Sequence, residues 1–463
     1  VASRGGAGVE IDLDRVAQRE TGMNAYEIML SESQERMLLV VRSGREAEVT
    51  RIFDKWDLDA APIGRVSGDG LLRVRHQGRL AAEVPCRALT DDAPAFDRPA
   101  ARPSWWPCPE VTPADLTEPT DWNAAIRELA GSPELASRRF VYEQYDHMVR
   151  SDTVVRPGGD AGVVRIKGRE LGIAMTLDGN GRYTARDPRR GGALAVAEAC
   201  RNLAAVGATP VGATNCLNFG NPERPEIMWE FTEAIAGMTE ALEALAVPIT
   251  GGNVSFYNET EGQNIFPTPV VGVVGVLDDA TSRIPQHFAA AGDLLFLAGP
   301  EGGDALGASA FLKEHHGRTD GRPPKPDLDA EVRLGAFLRA AGAAGLAASA
   351  RDLSEGGLAA AAIESVFAPD GSRLGAELEI ECADRLEGLL FGEGSARALL
   401  SVRPGDAEAL AGLAAREGVP LAEVGAVGGD ALRVRVNGSP AVSLDLEGLA
   451  DTFRNSLGRM ALA

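Results

Sequence analysis

Part of this chain is written twice. Leu30-Ser31-Glu32-Ser33-Gln34-Glu35-Arg36-Met37-Leu38-Leu39 aligns with Phe391-Gly392-Glu393-Gly394-Ser395-Ala396-Arg397-Ala398-Leu399-Leu400. Upstream, Gly6-Ala7-Gly8-Val9-Glu10-Ile11-Asp12 resembles Gly375-Ala376-Glu377-Leu378-Glu379-Ile380-Glu381, with a longer loop between the two pieces in the first copy. Self-similarity over such a span means one fold used twice. In the second copy Asp352–Val366 and a whole α/β unit come first; in the first copy the chain simply begins. A domain cut inside its own sheet exposes apolar edges and is poorly stable. The repeat therefore leads us to expect several hundred further residues before Val1 in the natural protein.

At 463 residues the chain has room for two to four domains. Its hydrophobic content of 44% and charged content of 24% are those of a globular protein, and no stretch approaches the ~18 uninterrupted apolar residues of a membrane helix. The net charge of −21 argues against general binding to nucleic acid or an anionic membrane, which needs basic patches. It leaves room for a phosphorylated small ligand held by backbone N–H groups, a few local Arg or Lys and a divalent metal. Cys86, Cys108, Cys200, Cys216 and Cys382 are scattered and never form C-x-x-C, which fits a reducing, cytoplasmic setting and gives no zinc framework.

Hydrophobic periodicity sets the element expectations. In residues 1–90, Val9–Leu13, Ala60–Val66 and Leu71–His76 read as strands, Met37–Val41 as a buried strand and Ala47–Trp56 as a helix. Residues 91–150 form a connector: Pro-rich at first, with Trp105-Trp106 stapling it to a core, then helical near Trp122–Leu129 and Pro133–Val149. A second unit, 151–285, has strands at Gly162–Ile166, Gly172–Leu177, Pro210–Ala213, Leu245–Ile249 and Val270–Val276. Its helix from Arg189-Arg190-Gly191-Gly192 to Ala205 offers an N-terminal phosphate seat, and a further helix spans Pro225–Leu245. A third unit, 286–463, holds a strand at Asp293–Leu297 and helices at Ala330–Ala341 and Ala359–Val366. Gly299–Gly303 lacks the Gly-Lys-Ser/Thr ending of a P-loop, and His315-His316 reads as part of a solvated, charged loop.

Thr250-Gly251-Gly252-Asn253-Val254-Ser255-Phe256-Tyr257 is the stretch richest in chemical options. Side chains two apart in an extended segment share a face, so Asn253 and Ser255 can enter one pocket. A Gly-rich turn with an Asx hydrogen bond accounts for the same residues. Five ordered motifs decide between these readings. They are Ser31–Arg36; Asp187-Pro188-Arg189-Arg190-Gly191-Gly192; Asn215-Cys216-Leu217-Asn218-Phe219-Gly220-Asn221-Pro222; Gly251–Ser255; and Asp352-Leu353-Ser354-Glu355-Gly356-Gly357-Leu358. Together they resemble the synthetase subunit of phosphoribosylformylglycinamidine synthase in its small, multi-subunit form, over essentially the whole chain.

The resemblance implies an α/β (α+β) fold of tandem, duplicated aminoimidazole-ribonucleotide-synthetase-like N and C domains, with the first copy truncated. It implies an ATP- and Mg²⁺-dependent ligase of purine biosynthesis that converts formylglycinamide ribonucleotide and ammonia to the amidine, through an iminophosphate. Carried over by position, Glu32, Ser33, Gln34 and Ser255 are expected to touch substrate, Asn215 and Gly252 the nucleotide, and Asn253 Mg²⁺. Asn215 stands where many members have Asp, which removes a charge. None of His76, His147, His287, His315 and His316 occupies the family's catalytic position, so no catalytic residue is expected in this chain. Asp352 is expected either as a counterpart of a metal-binding Asp or as a turn and helix N-cap residue. With no glutaminase nucleophile motif, ammonia is expected from a glutaminase subunit, alongside a small accessory subunit. The alternatives are a nucleotide-binding structural half without activity, or another ATP-dependent member of the same superfamily.

Overall fold

Four strands carry the first unit of the computed structural model, Val1–Asp97; residues 1–463 are described apart from 19, 33–35, 303, 304 and 384. The order along the chain is β1 (Gly8–Asp12), α1 (Ala25–Leu30), α2 (Glu46–Asp54), β2 (Gly64–Ser67), β3 (Leu71–His76) and β4 (Arg79–Pro85). The sheet order is β2-β1-β3-β4, with β1 and β3 parallel and the other pairs antiparallel. Asn24 and Glu27 start α1 with a reciprocal capping box. The core is small, with Leu13, Ile28 and Val74 buried at its centre. Met37–Val41 departs from expectation: it forms no strand, and Met37 is 83% exposed. An apolar run becomes a strand only when another strand takes its backbone N–H and C=O groups, and the four strands of this sheet do not.

The second unit, Arg98–Ala463, begins with the connector, α3 (Trp122–Ala130) and α4 (Arg139–Tyr142). The helix expected over Pro133–Val149 shrinks to α4 because Arg138 donates to the carbonyls of Pro133, Glu134 and Ala136, which a continuous helix would need for its own ladder. Next come β5 (Thr153–Val155), β6 (Gly162–Arg165), β7 (Gly172–Asp178), α5 (Gly181–Arg186), α6 (Pro188–Ala205), β8 (Thr209–Asn218) and α7 (Pro225–Ala244). They are followed by β9 (Ile249–Ser255), the hairpin β10 (Glu259–Thr260) and β11 (Gln263–Asn264), and β12 (Thr268–Leu277). The six-stranded sheet runs β5-β6-β7-β12-β8-β9. The expected strand at Leu245–Ile249 starts only at Ile249, because Leu245 caps α7 and Ala246 turns the chain at φ 55°. The expected tandem-Trp staple holds for Trp106, which meets Trp229 of α7 edge-on at 5.6 Å; Trp105 is 44% exposed.

Helices α6 and α7 cover one face of this sheet, burying Val196, Leu203, Ala213, Leu217, Val271 and Val273. The opposite face leaves Met175, Leu177 and Val274 exposed. The helices cross closely: a Cβ on Gly237 would fall 1.9 Å from the Arg189 carbonyl, and one on Gly192 would fall 2.3 Å from that of Ala234. The glycines opening α6 therefore serve helix packing.

The remainder holds β13 (Leu294–Ala298), α8 (Ala310–His316), α9 (Leu328–Ala343), β14 (Ser349–Asp352), α10 (Gly357–Val366), β15 (Ala376–Ile380), α11 (Leu386–Phe391) and β16 (Ala398–Val402). It ends with α12 (Ala407–Glu417), β17 (Leu421–Val427), β18 (Ala431–Val436), β19 (Ser439–Asp445) and α13 (Leu446–Leu462). Its seven-stranded sheet runs β14-β16-β13-β17-β15-β18-β19, with apolar cores centred on Phe311, Leu358 and Phe391 in one cluster and on Leu334, Phe337 and Leu410 in another. His315-His316 closes α8 and is no solvated loop: His315 stacks on Phe311 at 5.2 Å and its Nδ1 lies 2.6 Å from Glu128 of α3.

The repeat is legible in the sheets. β15 pairs antiparallel with β17 and parallel with β18, and β18 pairs antiparallel with β19. β1 stands to β2, β3 and β4 in the same relations. Even the irregularity recurs, with register shifts at Val74/Arg75 and at Val434/Arg435. Both hairpins turn on a residue at φ 50° followed by glycine, Gln77-Gly78 and Asn437-Gly438, the conformation a two-residue hairpin loop requires. Among the described residues no helix is long and apolar enough to cross a membrane.

Candidate functional site

The parallel pair β8 and β9 brings four of the sequence-derived candidates together. Its register sets Asn215 beside Gly252, Cys216 beside Asn253 and Asn218 beside Ser255. Asn215 alternates with the buried Ala213 and Leu217, so it points to the helix-covered side of the sheet. A Cβ at Gly252 would fall 2.0 Å from Asn215 Oδ1. Gly252 is thus the residue that lets the Asn215 amide lie across the sheet edge.

Asn253 and Ser255 point to the other side. Asn253 is exposed, with its Nδ2 4.0 Å from Cys216 Sγ. Ser255 is half-buried and its hydroxyl is engaged by Asn258. The expectation that Asn253 and Ser255 share a face therefore agrees with the strand geometry, with the Asn215–Gly252 pair on the reverse face. Glu32 is exposed in the first unit, and Ser33 and Gln34 lie outside the described residues.

The N-terminus of α6 is filled by the protein itself. Asp187, 2% exposed, caps it by accepting from Arg190 N at 3.0 Å and pairs with Arg322 at 2.7 Å. The dipole end expected to seat a phosphate already has a carboxylate.

Sequence reasoning missed an acidic cleft inside the second unit, where β7, α6 and β14 converge. A cavity of about 370 Å³ is lined by Asp160, Asp178, Asn202, Asp352, Ser354 and Glu364 among others. A second, of about 470 Å³, shares Asp160, Ser354 and Glu364 and adds Arg138, Arg139, Arg156 and Glu355. Asp352 ends β14, and Gly356 is the N-cap of α10, so the N-cap reading of Asp352 is not met. Asp352 instead pairs with Arg201 at 3.3 Å, and its backbone N–H donates to Asp160 at 3.0 Å. Arg201 reaches on to Glu331 of α9, tying the six-stranded-sheet half of the unit to the other half.

Burial raises the Asp160 carboxyl to about 8 against the opposing pull of Arg351, and it raises Asp178 to about 7. Burial and the neighbouring Glu355, Asp178 and Asp352 push Glu198 well up. Asn202 donates to Asp178 at 2.8 Å, while its Oδ1, in a residue only 5% exposed, has no protein donor. Besides Asp352, which the repeat singles out, Gly158-Gly159-Asp160, two glycines ahead of an acid, is a local signal that could have pointed here.

Neither place is a metal cage. Asn253 supplies a single neutral oxygen beside a cysteine, which does not fit a Mg²⁺ site by itself. Among the described residues no three His, Cys, Asp or Glu side chains converge on one point. The cleft has oxygen donors of the type Mg²⁺ takes, spread too widely to close a sphere without further oxygens from a ligand.

Comparison with known proteins gives the following matches. Residues 158–277 match AIR synthase related protein, N-terminal domain, and residues 1–77 and 290–437 match AIR synthase related protein, C-terminal domain. A curated phosphoribosylformylglycinamidine synthase subunit PurL from Moorella thermoacetica is 49% identical over 460 residues, covering 99% of this chain and 62% of that protein. The solved T. maritima PurL complexed with ATP superposes with a TM-score of 0.63 at 25% identity, over 93% of this chain and 61% of that one. The form complexed with AMPPCP gives 0.64 at 26%, over 92% and 61%. The chain thus spans about three fifths of the length of these relatives.

Proposed function

Because this chain belongs to the AIR synthase related family, with one N-terminal-type domain and two stretches of the C-terminal type, we propose that it forms part of the active site of a phosphoribosylformylglycinamidine synthase. The observation that carries the reading is the 49% identity to a synthase subunit sustained over 99% of the chain. The proposed reaction takes formylglycinamide ribonucleotide, ATP and ammonia to the amidine, ADP and phosphate. An amide oxygen leaves poorly. When it attacks the γ-phosphorus of ATP, ADP departs and the oxygen becomes part of a phosphate ester. Ammonia then adds to the adjacent carbon and phosphate leaves with the oxygen. In this scheme Ser255 is a substrate contact, Glu32, Ser33 and Gln34 are each proposed as substrate contacts on the strength of their motif alone, and Asn215 with Gly252 receives the nucleotide. ATP is supported by the nucleotide complexes of the structural relatives. Mg²⁺, when bound, would supply charge neutralisation at the phosphates; Asn253 would add one oxygen only where the ligand supplies the rest of the sphere. Ammonia would come from a glutaminase subunit of a complex that also holds a small accessory subunit.

The test is an assay of the complete polypeptide, assembled with its companion subunits, on formylglycinamide ribonucleotide, ATP and glutamine. Stoichiometric ADP and amidine are expected, and no amidine would overturn the reaction. The 463-residue chain alone is expected to form none; turnover by it would overturn the partial-site reading.

One observation favours a second reading alongside the first. The unpaired Asn202 Oδ1 and the raised Asp160 and Asp178 suit a cleft that takes a nucleotide with its cation, since Mg²⁺ needs only one or two carboxylates when phosphates complete its sphere. Calorimetry with ADP should show binding that depends on Mg²⁺. Equal heats with and without Mg²⁺, or none at all, would overturn it.

A further inference from the structure

Asn258 sits where three pieces of chain meet: the end of β8, the end of β9 and the start of the β10–β11 hairpin. Its Nδ2 donates to the Phe219 carbonyl at 3.0 Å and to the Ser255 carbonyl at 2.9 Å. Two carbonyls on one side settle which way the amide faces, because only the nitrogen can donate to them. Both N–H groups are then used, although Nδ2 also lies 3.2 Å from Ser255 Oγ. The amide oxygen is left 3.3 Å from that hydroxyl as its acceptor.

The surroundings hold this arrangement. Phe219 N donates to Ser255 O at 2.9 Å, and Ile265 N to Asn258 O at 3.1 Å. Tyr257, at φ 60°, turns the chain between Ser255 and Asn258, and its hydroxyl reaches Glu223 at 3.2 Å. Gly220 lies so close to Asn264 of the hairpin that a Cβ would fall 2.3 Å from its side-chain amide.

We propose that Asn258 is a positioning residue: by accepting the Ser255 hydroxyl's hydrogen bond, it leaves the Ser255 oxygen lone pairs as an acceptor for an N–H or O–H group of the ribonucleotide substrate. Ser255 then reads a ribose hydroxyl or amide N–H and does not donate to a phosphate. The inference rests on the proposed reading of Ser255 as a substrate contact.

The experiment uses the complete synthetase polypeptide assembled with its companion subunits. KM for formylglycinamide ribonucleotide and for ATP is measured for the parent, Ser255→Ala, Asn258→Ala and the double variant. Each single variant should raise the ribonucleotide KM about tenfold, the worth of one hydrogen bond, with the ATP KM unchanged. The double variant should be no worse than either single one, because Asn258 acts through Ser255. Asn258→Ser keeps a donor for a strand-end carbonyl but loses the amide oxygen; it should raise the ribonucleotide KM by the same factor and serves if Asn258→Ala does not fold. If Asn258 variants raise both KM values alike, or add to Ser255→Ala, the role is structural and the proposal falls. If Ser255→Ala leaves the ribonucleotide KM unchanged, the substrate-contact reading itself fails.

Discussion

Residues 37–41 and 398–402 are the same segment of one repeat in two settings. In the second copy, Ala398–Val402 is strand β16, fully buried between β13 and β14. In the first copy, Met37–Val40 is exposed and belongs to no strand. The seven-stranded sheet contains β13, β14 and β16 beside the four strands that the first unit reproduces. The two copies therefore differ by a block of strands, and the four that remain keep their register and their bulge. Within these 463 residues the block matching β17-β15-β18-β19 forms its sheet, and residues 37–41, which match β16, pair with none of its four strands.

The same contrast holds for single residues. Glu32 is exposed, and its counterpart Glu393 is buried, accepting from Ala310 N at 2.9 Å, from Gly356 N at 2.7 Å and from Tyr183 Oη. At one place the repeat leaves this carboxylate exposed. At the other it uses it to hold the start of α8, the turn before α10 and α5.

In the 463-residue chain, hydrogen exchange should reveal the largest difference. Amides of Ala398–Val402 are expected to exchange only on global opening, and those of residues 37–41 nearly as in an unfolded chain, at least about a thousandfold faster. Comparable protection would break the comparison by showing that residues 37–41 have strand partners. Core truncation comes next. Leu400→Ala is expected to cost about 3 kcal/mol in denaturant unfolding, and the aligned Leu39→Ala less than about 0.5 kcal/mol; equal losses would place Leu39 in a core.

The smallest effect is a pH dependence. Burial and the neighbouring Glu355 raise the Glu393 carboxyl to about 7. A carboxyl with a raised folded-state value binds its proton more tightly in the folded state. Stability therefore falls as pH rises from the usual carboxylate range through about 7. Thermal or urea melts of Glu393→Gln should lose about 2 kcal/mol of the parent's decline between pH 5 and 7. An unchanged slope would show that Glu393 does not carry it.

Most strands, the long helices and the shared face of Asn253 and Ser255 on β9 were legible in the sequence. Val9–Asp12, Leu71–His76 and Val270–Val276 alternate or run apolar over strand lengths, and Gly207 and Pro225 punctuate α6 and α7. The acidic cleft was not legible. Asp160, Asp178, Asn202 and Asp352 come from four separate segments; only Asp352 carried a metal-binding reading, through the repeat, and nothing local joins the other three to it.

The sequence by itself determined the repeat, its register and the order of elements, because these rest on side-chain periodicity and turn residues that act over a few positions. Tertiary structure decided that residues 398–402 find strand partners, that Glu393 is buried and what the glycines at α6 are for. An apolar run needs a partner's hydrogen bonds to become a strand, a carboxylate takes its role from the donors around it, and the N-terminus of α6 seats Asp187 once the fold brings Arg322 beside it.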